Sequence, residues 1–214
     1  MAYAVYGTGG FAREVAPLVV GRMPGSDSNL VFVDDSELRP AAVNGHPVID
    51  FPTLCSSDHR HRQVVVAIGD GTTRKRVESK VAEAGFELTS VKASTAIVMD
   101  EVELGVGAVL ADFVVLTSNI KVGRSFQANI YSYVAHDCVI GDYVTFAPRV
   151  NCNGNVHIGD NVYVGTGASI IQGTLAEPLM IGAGAIIGMG AVVTKPVPPN
   201  TVVAGNPARA IRTI

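Results

Sequence analysis

The second half of the chain carries a period of six. From Val98 every sixth residue is apolar: Val98, Leu104, Leu110, Leu116, Val122, Ala128, Val134, Ile140, Phe146, Cys152, Ile158, Val164 and Ile170. In a chain that is 48% hydrophobic, an unbroken series of this length arises by chance about once in ten thousand trials. Two positions earlier the residues are small or β-branched with few exceptions, from Ala96 and Val102 through Cys138 and Val144 to Ala168. Just after the large aliphatic in most repeats stands a turn former or small residue, among them Gly105, Gly123, Asn129, Gly141, Asn153, Gly159 and Gly165. Neither a helical nor a heptad period fits this pattern. Three hexads close one triangular coil, and stacked coils pair as parallel strands about 4.8 Å apart. The expectation is a parallel β-helix with the aliphatics inside and the Gly and Asn residues at corners, where they tolerate positive φ.

The register slips once. Ile181, Ile187 and Val193 continue the series, but Ile170 and Ile181 are not a whole number of hexads apart. The stretch from Gly173 to Met180 is therefore expected to bulge outward or cut a corner. Pro196-Val197-Pro198-Pro199 breaks the repeat, and Ala204-Gly205-Asn206-Pro207-Ala208-Arg209 follows.

The first half reads differently. Tyr3 to Tyr6 is strand-like and runs into Gly7-Thr8-Gly9-Gly10-Phe11-Ala12, after which Arg13 to Val20 reads as a helix with Pro17 in its first turn or at a kink. Strand, glycine loop and helix in this order suit a phosphate, because glycines let the backbone approach and the helix start presents free N–H groups. The same pattern also fits a tight strand-to-helix turn that binds nothing. A second strand, Leu30 to Val33, ends in Asp34-Asp35, about 25 residues on, where carboxylates meet ribose hydroxyls or a base edge. A third, Gln63 to Ile68, runs into Gly69-Asp70-Gly71 and a helix over Thr72 to Ala84, whose Arg74 is placed to offer a cation to a phosphate. These continuous Val/Ile runs predict a parallel sheet covered on both faces. One mononucleotide half-site is present rather than two, so a nucleotide-linked sugar fits better than a dinucleotide. The expected organisation is an α/β half-Rossmann domain over 1–90 followed by an all-β parallel β-helix over 91–214.

Composition narrows the function. Net charge is −3, which argues against a nucleic-acid partner. No apolar run is long enough to span a membrane, and the N-terminus lacks a positive leader. Cys55, Cys138 and Cys152 have no CxxC spacing and are odd in number, which suits a reducing cytoplasm.

Residues 96–210 resemble the left-handed β-helix of hexapeptide-repeat acyltransferases, and the ending around Asn206-Pro207-Ala208-Arg209 is similar to their closing motif. With the half-Rossmann unit, the whole chain resembles the nucleotide-sugar acetyltransferases of the sialic-acid O-acetyltransferase and bacillosamine/perosamine N-acetyltransferase group. The left-handedness comes from this resemblance alone. It implies acetyl-CoA as co-substrate without a metal, and a nucleotide-linked amino sugar as acceptor. It also implies a homotrimer with coenzyme grooves between subunits. It implies that His136, followed by Asp137, is catalytic, that Asp34 and Asp35 contact the nucleoside, and that the loop with Gly7, Thr8, Gly9, Gly10 and Phe11 contacts the pyrophosphate; Gly69 and Arg74 join this nucleotide-sugar set from their place after the third strand. Phe11 stands where relatives often have His and offers no polar contact. Gly154, Thr166, Gly188, Gly190, Pro207 and Arg209 are implied along the coenzyme.

A positioned imidazole can take the proton released when an amine attacks a thioester, and an adjacent carboxylate fixes its tautomer. His136 near a hexad corner is expected to point outward. The bland reading is a solvated corner histidine. His157 is the competing candidate and lacks an acidic neighbour. His46, His59 and His61 sit in polar loops without a third metal ligand at regular spacing. Three readings follow: amino-sugar N-acetylation, O-acetylation of a sugar hydroxyl, and a non-catalytic nucleotide-sugar scaffold. Zinc-dependent hydration on the same solenoid, as in γ-type carbonic anhydrases, would need three histidines, and only His136 and His157 lie on the repeat.

Overall fold

A computed structural model describes residues 1–21 and 29–214. The chain divides into two compact units, Met1–Val91 and Lys92–Ile214.

The first unit is a five-stranded sheet flanked by helices. Its elements are β1 (Tyr3–Tyr6), α1 (Gly10–Val20), β2 (Leu30–Val33), β3 (Ala42–Val43), β4 (His46–Ile49), α2 (Phe51–Leu54), β5 (Gln63–Val66) and α3 (Gly71–Glu83). The sheet order is β3-β4-β2-β1-β5, parallel except for the β3–β4 hairpin. All four residues of β2 are buried, as expected of a strand with both faces covered. One face packs Ala4, Tyr6, Val31, Val33, Val64 and Val66 against Leu54, Val77, Val81 and Phe86. Pro17 lies inside α1, which continues through it to Val20. The hairpin and β4 escape the hydrophobic pattern because they are short and half-exposed. From β1 the chain passes to β2 on one side and returns to β5 on the other, so the carboxyl ends of β1 and β5 flank a topological switch point, the usual ligand crevice of such sheets.

The second unit is a parallel β-helix with three faces. Strands of two or three residues repeat along sheets of six, five and eight strands. Val115 pairs with Tyr133 and Tyr133 with Asn151, so one coil advances the chain by 18 residues. Eleven of the thirteen spine residues are buried, the exceptions being Val98 and Leu104 in the first hexads of the series. Where the spine narrows to Ala128, Phe126 and Phe146 fill the space edge-to-face at 5.2 Å. Ser132, the one polar residue of the series two positions before the spine, is buried but satisfied: its hydroxyl donates to the Ala147 carbonyl at 3.0 Å and accepts from the Val150 amide at 3.1 Å. In the coil with the slip, Val156 pairs with Leu179, 23 residues on instead of 18. The extra residues bulge outward, with Leu175 exposed and a turn closed by Thr174 and Glu177. Thr201–Ala204 joins the eight-stranded sheet, and Arg209–Thr213 turns back antiparallel on it.

The corners correct one expectation. Positive φ falls three residues after each spine residue from Val98 to Val164, at every sixth position from Glu101 to Gly167, and most of these positions carry side chains, including Phe113, Tyr131, Asp137 and Arg149. Gly105, Gly123, Gly141, Gly159 and Gly165 are not at positive φ. They are glycines because the coils touch there. A Cβ on Gly141 would lie 2.8 Å from the backbone of Gly159 and Asp160 in the next coil. Asn129 and Asn153 are likewise not at positive φ. Gly141→Ala is accordingly expected to cost about 1–3 kcal/mol by overpacking, whereas Glu101→Gly changes stability by about 1 kcal/mol or less, since the left-handed strain it relieves offsets added chain entropy. Urea unfolding of the two variants measures the contrast; equal costs would contradict these assignments.

Candidate active site

The glycine loop after β1 is shaped by contact and by hydrogen bonds. Gly7 has φ +113°, and a Cβ there would lie 2.9 Å from the Ala67 carbonyl oxygen. Its amide donates to Val33 O at 2.8 Å, and the Ala67 amide donates to Tyr6 O at 2.9 Å, which ties the ends of three strands together. Gly9 caps α1 with no side-chain hydrogen bond, so the first amides of that helix have no side-chain acceptor at the cap. The start of α3 is different: Asp70 accepts from the Thr73 amide at 2.7 Å and closes it. Of the two helices, α1 is therefore the one open to an anion. Phe11 is half-buried on it.

Both carboxylates after β2 are held by the protein. Asp34 accepts from the Thr8 hydroxyl and from the Ser36 amide at 2.8 Å. Burial pushes its carboxyl up, but these bonds outweigh that and hold it below the usual range. Asp35 accepts from the Tyr6 hydroxyl, from Lys80 Nζ at 2.6 Å and from the Phe51 amide at 3.0 Å. Lys80 also sits 4.1 Å from the centroid of the Phe51 ring. Burial raises the Asp35 carboxyl, and its three donors more than reverse that. Burial, followed by the bond to Asp35, pushes the Tyr6 phenol up. Each carboxylate oxygen accepts more than one bond, so both aspartates keep capacity for a ligand donor. Sequence reasoning missed Tyr6 and Lys80; Lys80 lies 45 residues from Asp35 and no motif announces it.

Arg74 is a correction. It is 0% exposed, and its Nη1 donates to the carbonyls of Ile68 at 2.6 Å and Gly69 at 3.1 Å. Its guanidinium braces the loop after β5 from inside and presents no cation to a phosphate in solvent.

In the β-helix, His136 is outward and 59% exposed, and its Nδ1 lies 2.7 Å from Asp137 Oδ2. Asp137 stands at a left-handed corner with φ +60°, a conformation that Asp adopts more readily than most residues. The carboxylate favours the tautomer with the proton on Nδ1 and leaves the lone pair on Nε2. Gly154 lies in the following coil, beneath the imidazole. His157 is half-buried on a different face, paired with Val139 and Met180. Thr166, Gly190, Pro207 and Arg209 are exposed and Gly188 is half-buried; the Gly190 amide donates to Thr166 O at 2.8 Å. Arg209 also lines a cleft of about 230 Å³ with Lys195, Pro196 and Ala208. Among the described residues no group of three or more His, Cys, Asp or Glu is placed to hold a metal, and no helix is long and apolar enough to cross a membrane.

The folded pKa of Asp35 lies below its unfolded value near 3.9. Its contribution to stability is thus present above that value and lost as pH falls through the folded one. Lys80→Met raises the folded value toward the unfolded one, so the variant is expected to have a lower urea midpoint than the parent at neutral pH and to lose less of it as pH falls below the unfolded value. An unchanged acid limb would show that Lys80 does not hold Asp35.

Residues 3–81 match the PglD N-terminal domain. GDP-perosamine N-acetyltransferase of Escherichia coli is 46% identical over 213 residues, covering 98% of this chain and 96% of that protein. Among solved structures, WeeI of Acinetobacter baumannii superposes with a TM-score of 0.94 at 50% identity, over 99% of this chain and 100% of that one. The acetyltransferase domain of PglB from Neisseria gonorrhoeae, solved in complex with acetyl coenzyme A, gives 0.87 at 30% identity over 98% of each. The solenoid is the left-handed β-helix of these proteins. The chain belongs to the hexapeptide-repeat acetyltransferase family that includes GDP-perosamine N-acetyltransferase and the PglB acetyltransferase domain.

Proposed function

We propose that this protein transfers the acetyl group of acetyl-CoA to the amino group of a nucleotide-linked amino-deoxy sugar, with His136 as general base. The observation that carries this reading is the exposed His136–Asp137 pair, joined at 2.7 Å on a solenoid corner. The nucleoside diphosphate is assigned to the carboxyl ends of β1 and β2 in the first unit, with its phosphates at the open start of α1 and its nucleoside at Asp34 and Asp35. Lys80 and Tyr6 fix Asp35, and Arg74 fixes the Gly69 loop. Gly154, Thr166, Gly188, Gly190, Pro207 and Arg209 are assigned to the coenzyme. The matching relative is named for GDP-perosamine N-acetylation, which makes GDP-perosamine the first acceptor to try and favours N- over O-acetylation.

The neutral amine attacks the thioester carbonyl, and Nε2 of His136 takes the proton as the C–N bond forms. Asp137 stabilises the imidazolium. When the tetrahedral intermediate collapses, the C–S bond breaks and the proton passes to the leaving thiolate, giving amide and free coenzyme A. Removing a general base of this kind typically lowers the rate by about 10²–10⁴-fold. A homotrimer in the cytoplasm, where acetyl-CoA is made and thiols stay reduced, completes the reading.

Release of coenzyme A thiol with GDP-perosamine as acceptor tests it. The parent is expected to turn over and His136→Asn to lose kcat by about 10²-fold or more, with GDP-perosamine still bound. Turnover that survives in His136→Asn would remove the histidine from the mechanism. Turnover of free hydroxylated sugars alone would replace N- by O-acetylation.

A further inference from the structure

Gly154 differs from the other stacked glycines. At Gly105 and Gly141 an added Cβ would strike the backbone of the following coil, but at Gly154 its three nearest atoms all belong to the imidazole of His136: Cε1 at 2.6 Å, Nε2 at 2.7 Å and Nδ1 at 3.0 Å. Gly154 is not at positive φ, so its backbone conformation does not call for glycine. What calls for it is the imidazole, which fills the space a side chain there would need.

That peptide is itself fastened from the coil that carries His136. The Tyr133 hydroxyl donates to Asn153 Oδ1 at 2.6 Å. The Cys138 thiol donates to the Asn153 main-chain carbonyl at 3.2 Å. From the other side, Asn153 Nδ2 and its amide donate to Ile170 O at 2.8 and 3.2 Å, and the Gly173 amide donates to Gly154 O at 3.0 Å. The Asn155 amide reaches back to His136 O at 3.0 Å. Tyr133 and Cys138 stand three residues before and two after the histidine, so the clamp spans the short segment whose orientation matters. Burial pushes the Tyr133 phenol up, which keeps it a donor.

We propose that Tyr133, Cys138 and the Asn153–Gly154 peptide are positioning residues for His136: the clamp fixes the height of the peptide, and the bare Gly154 lets the imidazole rest on it with Nδ1 on Asp137. The proposal rests on the reading of His136 as general base. Asp137 sets the direction of Nδ1 within the ring plane, and the Gly154 platform sets the plane itself. A methyl at residue 154 displaces the ring, and a displacement on the order of 1 Å costs a reacting group about 10²-fold in rate.

The test uses the full chain with acetyl-CoA and GDP-perosamine, and reads kcat, KM and the ¹⁵N resonances of the His136 ring. Gly154→Ala is expected to lower kcat by about 10–10²-fold with KM for GDP-perosamine within about threefold, and to move the ring nitrogens away from the Nδ1-protonated pattern. Gly105→Ala, which strains the stack away from the histidine, is expected to lower the melting temperature but leave kcat and the ring signals alone. Tyr133→Phe and Cys138→Ala are expected to lower kcat several-fold, and Cys138→Ser, which keeps a donor, to restore it; these variants decide the matter should Gly154→Ala fail to fold. A folded Gly154→Ala with kcat within twofold and unchanged ring signals would overturn the proposal, as would a loss confined to KM. Full activity in His136→Asn would instead remove the reading beneath it, while the ring signals of Gly154→Ala would still report whether the platform sets the imidazole.

Discussion

Close stacking of coils, 18 residues per turn, is the constraint on which the rest of this structure depends. Parallel strands must approach to about 4.8 Å, so every position along a coil meets its counterpart above and below. Inward, that makes the spine from Leu110 to Ile170 a continuous buried column. At the edges it forbids a Cβ where backbones touch, as at Gly105 and Gly141. On the outside it places side chains in ladders, such as Phe113 stacked on Tyr131 at 5.0 Å. His136 on Gly154 is one rung of such a ladder. The candidate catalytic group is thus oriented by the same repeat that holds the solenoid together.

The two units handle polar groups in different ways. In the first, carboxylates gather donors from distant elements: Asp35 draws on β1, α2 and α3, and Asp34 on the glycine loop and Ser36. Such a network orients both carboxylates through the protein's own donors, and pre-orientation lowers the ordering cost of binding. In the second, the polar bonds run from coil to coil, as between Tyr133 and Asn153, and hold the peptide on which the imidazole rests.

Much of the fold is legible in the sequence because a six-residue period has few structural solutions. The spine, the slip near Gly173 and the change of architecture between the halves all follow from counting. The meaning of the glycines is not legible that way: left-handed corners and close approach both select glycine, and it is in the folded chain that Phe113, Tyr131 and Asp137 take the corners while Gly141 and Gly154 give clearance. Handedness leaves no trace in the period. His136 and Asp137 are adjacent in sequence, so their pairing is readable. Tyr6 with Lys80, and Tyr133 with Asn153, meet only through strand order and coil register. Arg74 shows the opposite failure: a basic residue early in a helix reads as a phosphate ligand, yet its side chain turns inward onto two carbonyls.

The most direct measurement of the central claim is a crystal structure with coenzyme A and the GDP-linked amino sugar bound. The account predicts the acceptor nitrogen within about 2.6–3.2 Å of His136 Nε2, Nδ1 still on Asp137 and the ring against Gly154. An acceptor amine beyond reach of Nε2, or an imidazole swung off Gly154 when both substrates are in place, would contradict it.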